Sequence, residues 1–217
     1  MVFRPFIKVE GLTSKEFRQQ RINLQAYTAI IFTARTAVDN FFRLCEEMRY
    51  NVPETLKYFC TTEQIALYLQ KYIVYRKRRI FFGTTGKVDG LEAAFQRHNK
   101  EKYLFIMSEE ASPDALRQLE QYHLDVTPAV MYRTVSNDFT PDEKFDYDML
   151  LFFSPSGIES LKKNFPDFSQ GDICIGCFGP KVAAAIKDAG LRLDLEAPNA
   201  KASSMPSALD LFLKEHK

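Results

Sequence analysis

The chain has 217 residues, 46% of them hydrophobic, enough for one large or two small domains with ordinary buried cores, which excludes disordered and fibrous chains. Lys plus Arg number 29 against 28 for Asp plus Glu, and the net charge of +1 excludes the basic excess of a dedicated nucleic-acid binder. No apolar run approaches the roughly 18 residues of a membrane span, Met1-Val2-Phe3-Arg4-Pro5 lacks the regions of a signal peptide, and four cysteines are too few for a disulfide scaffold; the chain reads as a cytoplasmic protein with free thiols and no membrane partner.

Taken in chain order, the segment Phe3 to Val9 is extended. Strand-like runs follow at Ala29 to Thr33, Tyr58 to Cys60, Ile73 to Phe82, Tyr103 to Met107, Val126 to Val130, Met149 to Phe153, Ile173 to Gly176 and Leu191 to Leu195. Between them, apolar residues at helical spacing predict helices over Ala37 to Arg49, Thr62 to Lys71, Gly90 to His98, Pro113 to His123, Gly157 to Asn164, Lys181 to Ala189 and Met205 to Lys214. A second isolated extended segment runs from Ala129 to Val135. Strands nearly continuous in apolar residues, each followed by a helix, predict an α/β fold with parallel sheets covered on both faces.

The pattern repeats. Phe32, Ala34, Thr36, Ala37 and Val38 line up with Phe152, Ser154, Ser156, Gly157 and Ile158; Cys60 to Leu69 lines up with Cys177 to Ile186; Asp89-Gly90-Leu91 lines up with Ser207-Ala208-Leu209. Three near-equal offsets predict two similar domains. The first copy has a fourth unit, Tyr103 to Met107 with Pro113 to His123, and the second has three. The expectation is therefore that residues 11–128 form an inserted α/β domain, that 1–10 and 129–217 form the linker strands and a discontinuous second α/β domain, and that an N-terminal βα unit of this second domain is missing before Met1. Phe3 to Val9 and Ala129 to Val135 are expected to pair as a two-stranded antiparallel linker.

Several motifs have structural readings. Gly83-Thr84-Thr85-Gly86-Lys87 is too short for a nucleotide P-loop and has Val88 where the Ser/Thr would be, and a flexible substrate-facing loop is expected. Cys174 and Cys177 lack a partner pair and read as small strand residues, and Arg76-Lys77-Arg78-Arg79 reads as a solvated edge or turn. His98, His123 and His216 have no ligand spacing and read as helix-end or surface residues. Glu109-Glu110 and Asp146 with Asp148 read as loop carboxylates, and Ser154-Pro155-Ser156-Gly157 reads as a helix cap with ligand contact as the alternative.

Ile31-Phe32-Thr33 with Ala37-Val38, Val130-Met131-Tyr132-Arg133-Thr134, Phe153-Ser154-Pro155-Ser156-Gly157, Gly179-Pro180-Lys181 with Ala183, and Ala197-Pro198 occur in an order and spacing that resembles the uroporphyrinogen-III synthase family along nearly the whole chain. The resemblance implies two α/β domains joined by a two-stranded ladder. It also implies a cytoplasmic lyase of haem and tetrapyrrole synthesis that closes hydroxymethylbilane with ring D inverted and loss of water, without cofactor or metal. The implied partner is this small-molecule substrate, with no nucleic acid, and the chain is read as a monomer. Ala34 stands where the family usually has Ser, and Ile65 and Val182 stand where it has Thr, so strict dependence on those hydroxyls is excluded.

By the same resemblance, unassisted closure tends to give the uninverted isomer, which makes the implied catalytic task that of holding one conformer of a substrate with eight carboxylates. Groups suited to that task stand at the carboxyl ends of strands: Thr33, Arg35, Thr36, Thr61, Thr62 and Ser108 with the Gly83–Lys87 loop in the first copy, and Ser154, Ser156, Gly157, Gly179 and Lys181 in the second, all expected to face one interdomain cleft. Tyr132 matches the family tyrosine proposed to protonate the departing hydroxyl, against the alternative of a tyrosine packed at the linker. Two competing readings are a catalytically silent ligand-binding module of the same fold and a periplasmic solute receptor, the second disfavoured by the absent signal peptide.

Overall fold

The computed structural model describes residues 2, 4–139 and 146–215, so Phe3 and His216 lie outside the described residues. The elements run β1 (Ile7–Gly11), α1 (Ser14–Gln19), β2 (Ala29–Phe32), α2 (Arg35–Glu47), β3 (Lys57–Cys60), α3 (Glu63–Tyr68), β4 (Ile80–Phe82), α4 (Glu92–Arg97), β5 (Lys102–Ser108), α5 (Asp114–Gln121), β6 (Asp125–Ser136), β7 (Met149–Phe152), α6 (Pro155–Asn164), β8 (Cys174–Phe178), α7 (Pro180–Asp188), β9 (Leu195–Ala197) and α8 (Met205–Glu215). The chain divides into two compact units, residues 9–134 and residues 1–8 with 135–217, with both crossings inside β1 and β6.

The unit of residues 9–134 carries the sheet β1-β6-β5-β2-β3-β4. The pairs β6–β5, β5–β2, β2–β3 and β3–β4 are parallel. Every residue of β2 is buried, because alternate side chains enter different cores. Ile30 and Phe32 join Tyr58, Cys60, Leu104 and Ile106 under Val38, Phe41 and Leu44 of α2. Ala29 and Ile31 join Phe59, Tyr103 and Phe105 under Phe95 of α4 and Leu119 of α5. Each Val, Leu, Ile or Phe side chain among them contributes about 1.5–3 kcal/mol on full burial. Phe59 centres the second core, its ring 4.8 Å from Phe81, 5.4 Å from Phe95 and 5.1 Å from Tyr103. The buried Tyr103 hydroxyl is satisfied by donating to the His98 carbonyl at 2.9 Å.

β6 is one 12-residue strand where the sequence suggested two segments. Its first two-thirds, Asp125 to Tyr132, pairs with β5, and its later part reaches β1. Met131 O accepts from Leu12 N at 2.9 Å and Phe6 O accepts from Asn137 N at 2.9 Å. Position falls along one strand as it rises along the other, so the pair is antiparallel. Pro128, which has no N–H to give, stands in the part facing β5, before the span that meets β1. The N-terminal strand begins at Ile7, later than the expected Phe3.

Two strand expectations are corrected. Of Ile73 to Phe82 only Ile80–Phe82 is strand: Ile73 N bonds back to Leu69 O at 3.0 Å, and Lys77–Arg79 form a charged, largely exposed 3-10 turn. Leu191 to Leu195 is not a strand either, and β9 begins at Leu195. Upstream of it side chains take the place of a ladder: Gln170 accepts from Arg192 N at 2.7 Å and donates to Arg192 O at 2.9 Å, and Asp194 accepts from Ile175 N at 2.8 Å. The helix α1 was not expected.

In the unit of residues 1–8 with 135–217, three parallel strands lie in the order β7-β8-β9. Leu150, Phe152, Ile175 and Cys177 pack under Ile158 and Leu161 of α6 and Val182, Ala183 and Ile186 of α7. The opposite face, with Met149, Leu151, Leu195 and Ala197, packs against Met205, Ala208 and Phe212 of α8. Cys174 and Cys177 are free thiols on β8, as the reading of small strand residues requires.

Candidate functional site

In the unit of residues 9–134, the parallel register places Phe32, Cys60 and Ile106 side by side at the carboxyl ends of β2, β3 and β5. The residues that follow form the candidate site. Thr33 is half-buried after β2, and Arg35 and Thr36 open α2. Thr62 caps α3 by accepting from Ile65 N at 3.3 Å. Thr61 is a correction: it is fully buried, and its Oγ1 has no hydrogen-bond partner among the described residues, so it presents no hydroxyl at the surface.

A bulge between Met107 and Ser108 shifts the β5–β6 register, pairing Met107 with Val130 but Ser108 with Tyr132. The extra residue, Met131, is buried, and Tyr132 is brought beside Ser108. The Tyr132 carbonyl accepts from Glu109 N at 2.9 Å, and Glu110 accepts from Thr134 N at 2.8 Å. Burial pushes the Tyr132 phenol above its ordinary range, and the Glu110 charge adds to the shift. Glu110 thus braces the strand that carries Tyr132, a role the loop reading had not assigned.

Arg35 has a supporting group that sequence reasoning missed. Its guanidinium lies 5.4 Å over the Tyr68 ring, and the Tyr68 hydroxyl donates to Asp39 at 2.9 Å. Tyr72 and Lys71 also donate to Asp39. Partial burial pushes the Asp39 carboxyl up, but these three hydrogen bonds outweigh it and hold the group below its ordinary value. The Gly83–Lys87 loop is stitched rather than loose: Thr85 Oγ1 donates to Asp89 at 2.8 Å and accepts from Lys87 N at 3.2 Å.

In the other unit the predicted residues gather at the carboxyl ends of β7 and β8. Ser154 is the N-cap of α6, as the cap reading has it, but its hydroxyl makes no capping bond. Ser156 is half-buried, and Gly157 is buried where an added Cβ would come within 3.1 Å of Phe152, so its smallness lets α6 approach β7. Gly179 is the N-cap of α7 at φ +95, a conformation that favours glycine, and Lys181 is exposed. Two aromatic neighbours, Phe153 and Phe178, are also exposed here, which no sequence pattern had indicated. Among the described residues no group of three or more His, Cys, Asp or Glu is gathered to hold a metal, and no helix is long and apolar enough to cross a membrane.

Residues 1–206 match the family model HEM4, uroporphyrinogen-III synthase HemD. The chain belongs to the uroporphyrinogen-III synthase family. Comparison with curated proteins gave no match. Among solved structures the chain is similar to uroporphyrinogen-III synthetase from Helicobacter pylori, with TM-score 0.61 and 18% identity over 97% of this chain and 91% of that one. It is also similar to a mutant uroporphyrinogen III synthase from the extremely thermophilic bacterium Thermus thermophilus, with TM-score 0.53 and 15% identity over 97% of this chain and 88% of that one. These likenesses show a shared fold. Ile65 and Val182 are both buried in helix–sheet cores, where a hydroxyl in their place would need a hydrogen-bond partner.

Proposed function

We propose that the chain cyclises hydroxymethylbilane to uroporphyrinogen III with inversion of ring D and loss of one water. The family match over residues 1–206 carries this reading, and the bulged register beside Tyr132 supports the assignment of the proton donor. Tyr132 donates its phenolic proton to the departing hydroxyl, which leaves as water. The proton released when the closing pyrrole regains aromaticity restores the phenol, so the balance is one water lost. A phenol of ordinary pKa about 10 is protonated at neutral pH, and burial and the Glu110 charge push this one further up.

With a net charge of only +1, the chain must meet the substrate carboxylates with local donors. Thr33, Arg35, Thr36, Thr62 and Ser108 supply them in one unit, and Ser154, Ser156, Gly179 and Lys181 supply them in the other. Arg35 is held over Tyr68, so part of its ordering cost is met before substrate arrives. Their shared work is to fold the linear substrate into the conformer that inverts ring D, which is catalysis by orientation. The reading takes the enzyme to be a cytoplasmic monomer with residues 11–128 as an inserted domain.

The test is conversion of hydroxymethylbilane by the purified chain, with type I and type III isomers separated after oxidation. Type III product above the enzyme-free control is expected. Binding without type III product would identify a silent ligand-binding module instead.

A further inference from the structure

Among the described residues, the phenylalanines with large exposed surface are Phe82, Phe153 and Phe178, at 41%, 64% and 38%, and each stands at the carboxyl end of a parallel strand. A single exposed apolar residue is ordinary, but two in contact at the site end of a sheet are informative. The β7–β8 register pairs Phe152 with Cys177, so the next pair along the strands is Phe153 with Phe178. Phe152 and Cys177 enter the core under α6 and α7, and strand alternation sends the next pair to the face that carries Met149 and Leu151. There α8 covers Met149 and Leu151, while the two rings extend past that cover. Their centroids are 6.4 Å apart and their planes 28° apart, close to parallel.

The surroundings of the pair are polar. Ser154 follows Phe153 with a hydroxyl not spent on capping, Gly179 follows Phe178 with no heavy atom within 4 Å of where a Cβ would stand, and Lys181 is exposed two residues on. We infer that Phe153 and Phe178 form an aromatic platform on which one pyrrole ring of the linear tetrapyrrole lies flat, its carboxylate side chains reaching Ser154 and Lys181. The inference rests on the function proposed above and adds a subsite to it. A pyrrole is a flat π-system with charged substituents at its rim, and a near-parallel ring pair bordered by a hydroxyl and an ammonium is complementary to both parts. The glycine beside Phe178 lets the ring approach the backbone closely. The platform holds the ring before and during closure, so it acts on binding more than on the chemical step.

The experiment compares wild type with Phe153→Leu, Phe178→Leu and Phe178→Tyr, all checked for fold by circular dichroism. Leucine keeps the apolar bulk and removes the π-face; tyrosine restores the ring. Each leucine variant is expected to raise KM about tenfold or more with kcat within about threefold, and Phe178→Tyr to return KM to near wild type. The chain contains no tryptophan, so Phe178→Trp creates a sole reporter whose emission hydroxymethylbilane should quench on binding. Unchanged KM in both leucine variants of an active enzyme, or unquenched Phe178→Trp emission at saturating hydroxymethylbilane, would overturn the platform. Wild type that yields no type III product would overturn the functional reading alone, and the quenching arm would still decide whether a pyrrole sits on the rings.

Discussion

Tyr132 is half-buried on β6, beside Ser108 through the bulge and against the core under α2. Tyr132→Phe keeps the ring and its packing while removing the proton. If the phenol protonates the leaving hydroxyl, kcat should fall about 100-fold, equivalent to about 2.7 kcal/mol in the barrier, with KM changed much less. The residual product should remain type III, because conformer selection belongs to the surrounding donors. Burial and Glu110 raise the phenol pKa, so wild-type kcat should show no loss from phenol ionisation below about pH 10, the ordinary value. A folded Tyr132→Phe enzyme with unchanged turnover would assign the residue to packing. At this scale the sequence marked chemistry but not exposure. Thr61 looked like another strand-end hydroxyl and is buried, whereas Phe153, the last residue of one predicted strand, and Phe178, just past another, are open. Which face of a strand end escapes its covering helix depends on where that helix stops, and no local pattern records it.

The elements were more legible, because an apolar strand and an amphipathic helix each carry their own period. The repeat even located equivalent caps: Ala34 with Ser154, and Thr62 with Gly179, all at N-cap positions. What escaped was short or non-periodic. α1 has six residues, too few to show a period, yet its signal was present in Thr13-Ser14-Lys15-Glu16. Thr13 N donates to Glu16 at 2.8 Å, Glu16 N donates to Thr13 Oγ1 at 3.2 Å, and Arg133 of β6 donates to Glu16 at 2.9 Å and Glu10 at 2.8 Å. The Thr13 hydroxyl, the Thr13 backbone N–H and then Arg133 lower the Glu16 pKa from 4.5 to about 2. The folded value lies below the unfolded one, so the contribution to stability is fully present above 4.5 and is lost as pH falls toward about 2. Glu16→Gln should therefore lower Tm relative to wild type at neutral pH, and the gap should close as pH falls through that window. Melting curves followed across the acid range check this; a gap independent of pH would show that the glutamate acts through shape rather than charge.

At the scale of the whole molecule the two units have unequal sheets. In residues 9–134, β2 lies between β5 and β3, β5 lies between β6 and β2, and both strands bury side chains on both faces. In residues 1–8 with 135–217, β7 is an edge strand among the described residues, Leu151 is only half-buried, and β9 has three residues. An edge strand has ladder bonds on one side only, and fewer covered apolar side chains resist local opening. Only β8 is bracketed on both sides there, and one of its inward positions is Gly176, which leaves room for Leu151 but contributes no side chain to the core. The amides of Ile30, Ile31, Leu104 and Phe105 are accordingly expected to be the slowest to exchange with solvent deuterium. Those of Leu150, Leu151 and Ile175 should exchange at least about tenfold faster, a difference of about 1.4 kcal/mol or more in opening free energy. Hydrogen exchange resolved to single amides makes the comparison within one sample, so solution conditions cancel. Equal or greater protection in β7 and β8 would show that the smaller sheet is held by more than its own ladder and its two helix-covered faces.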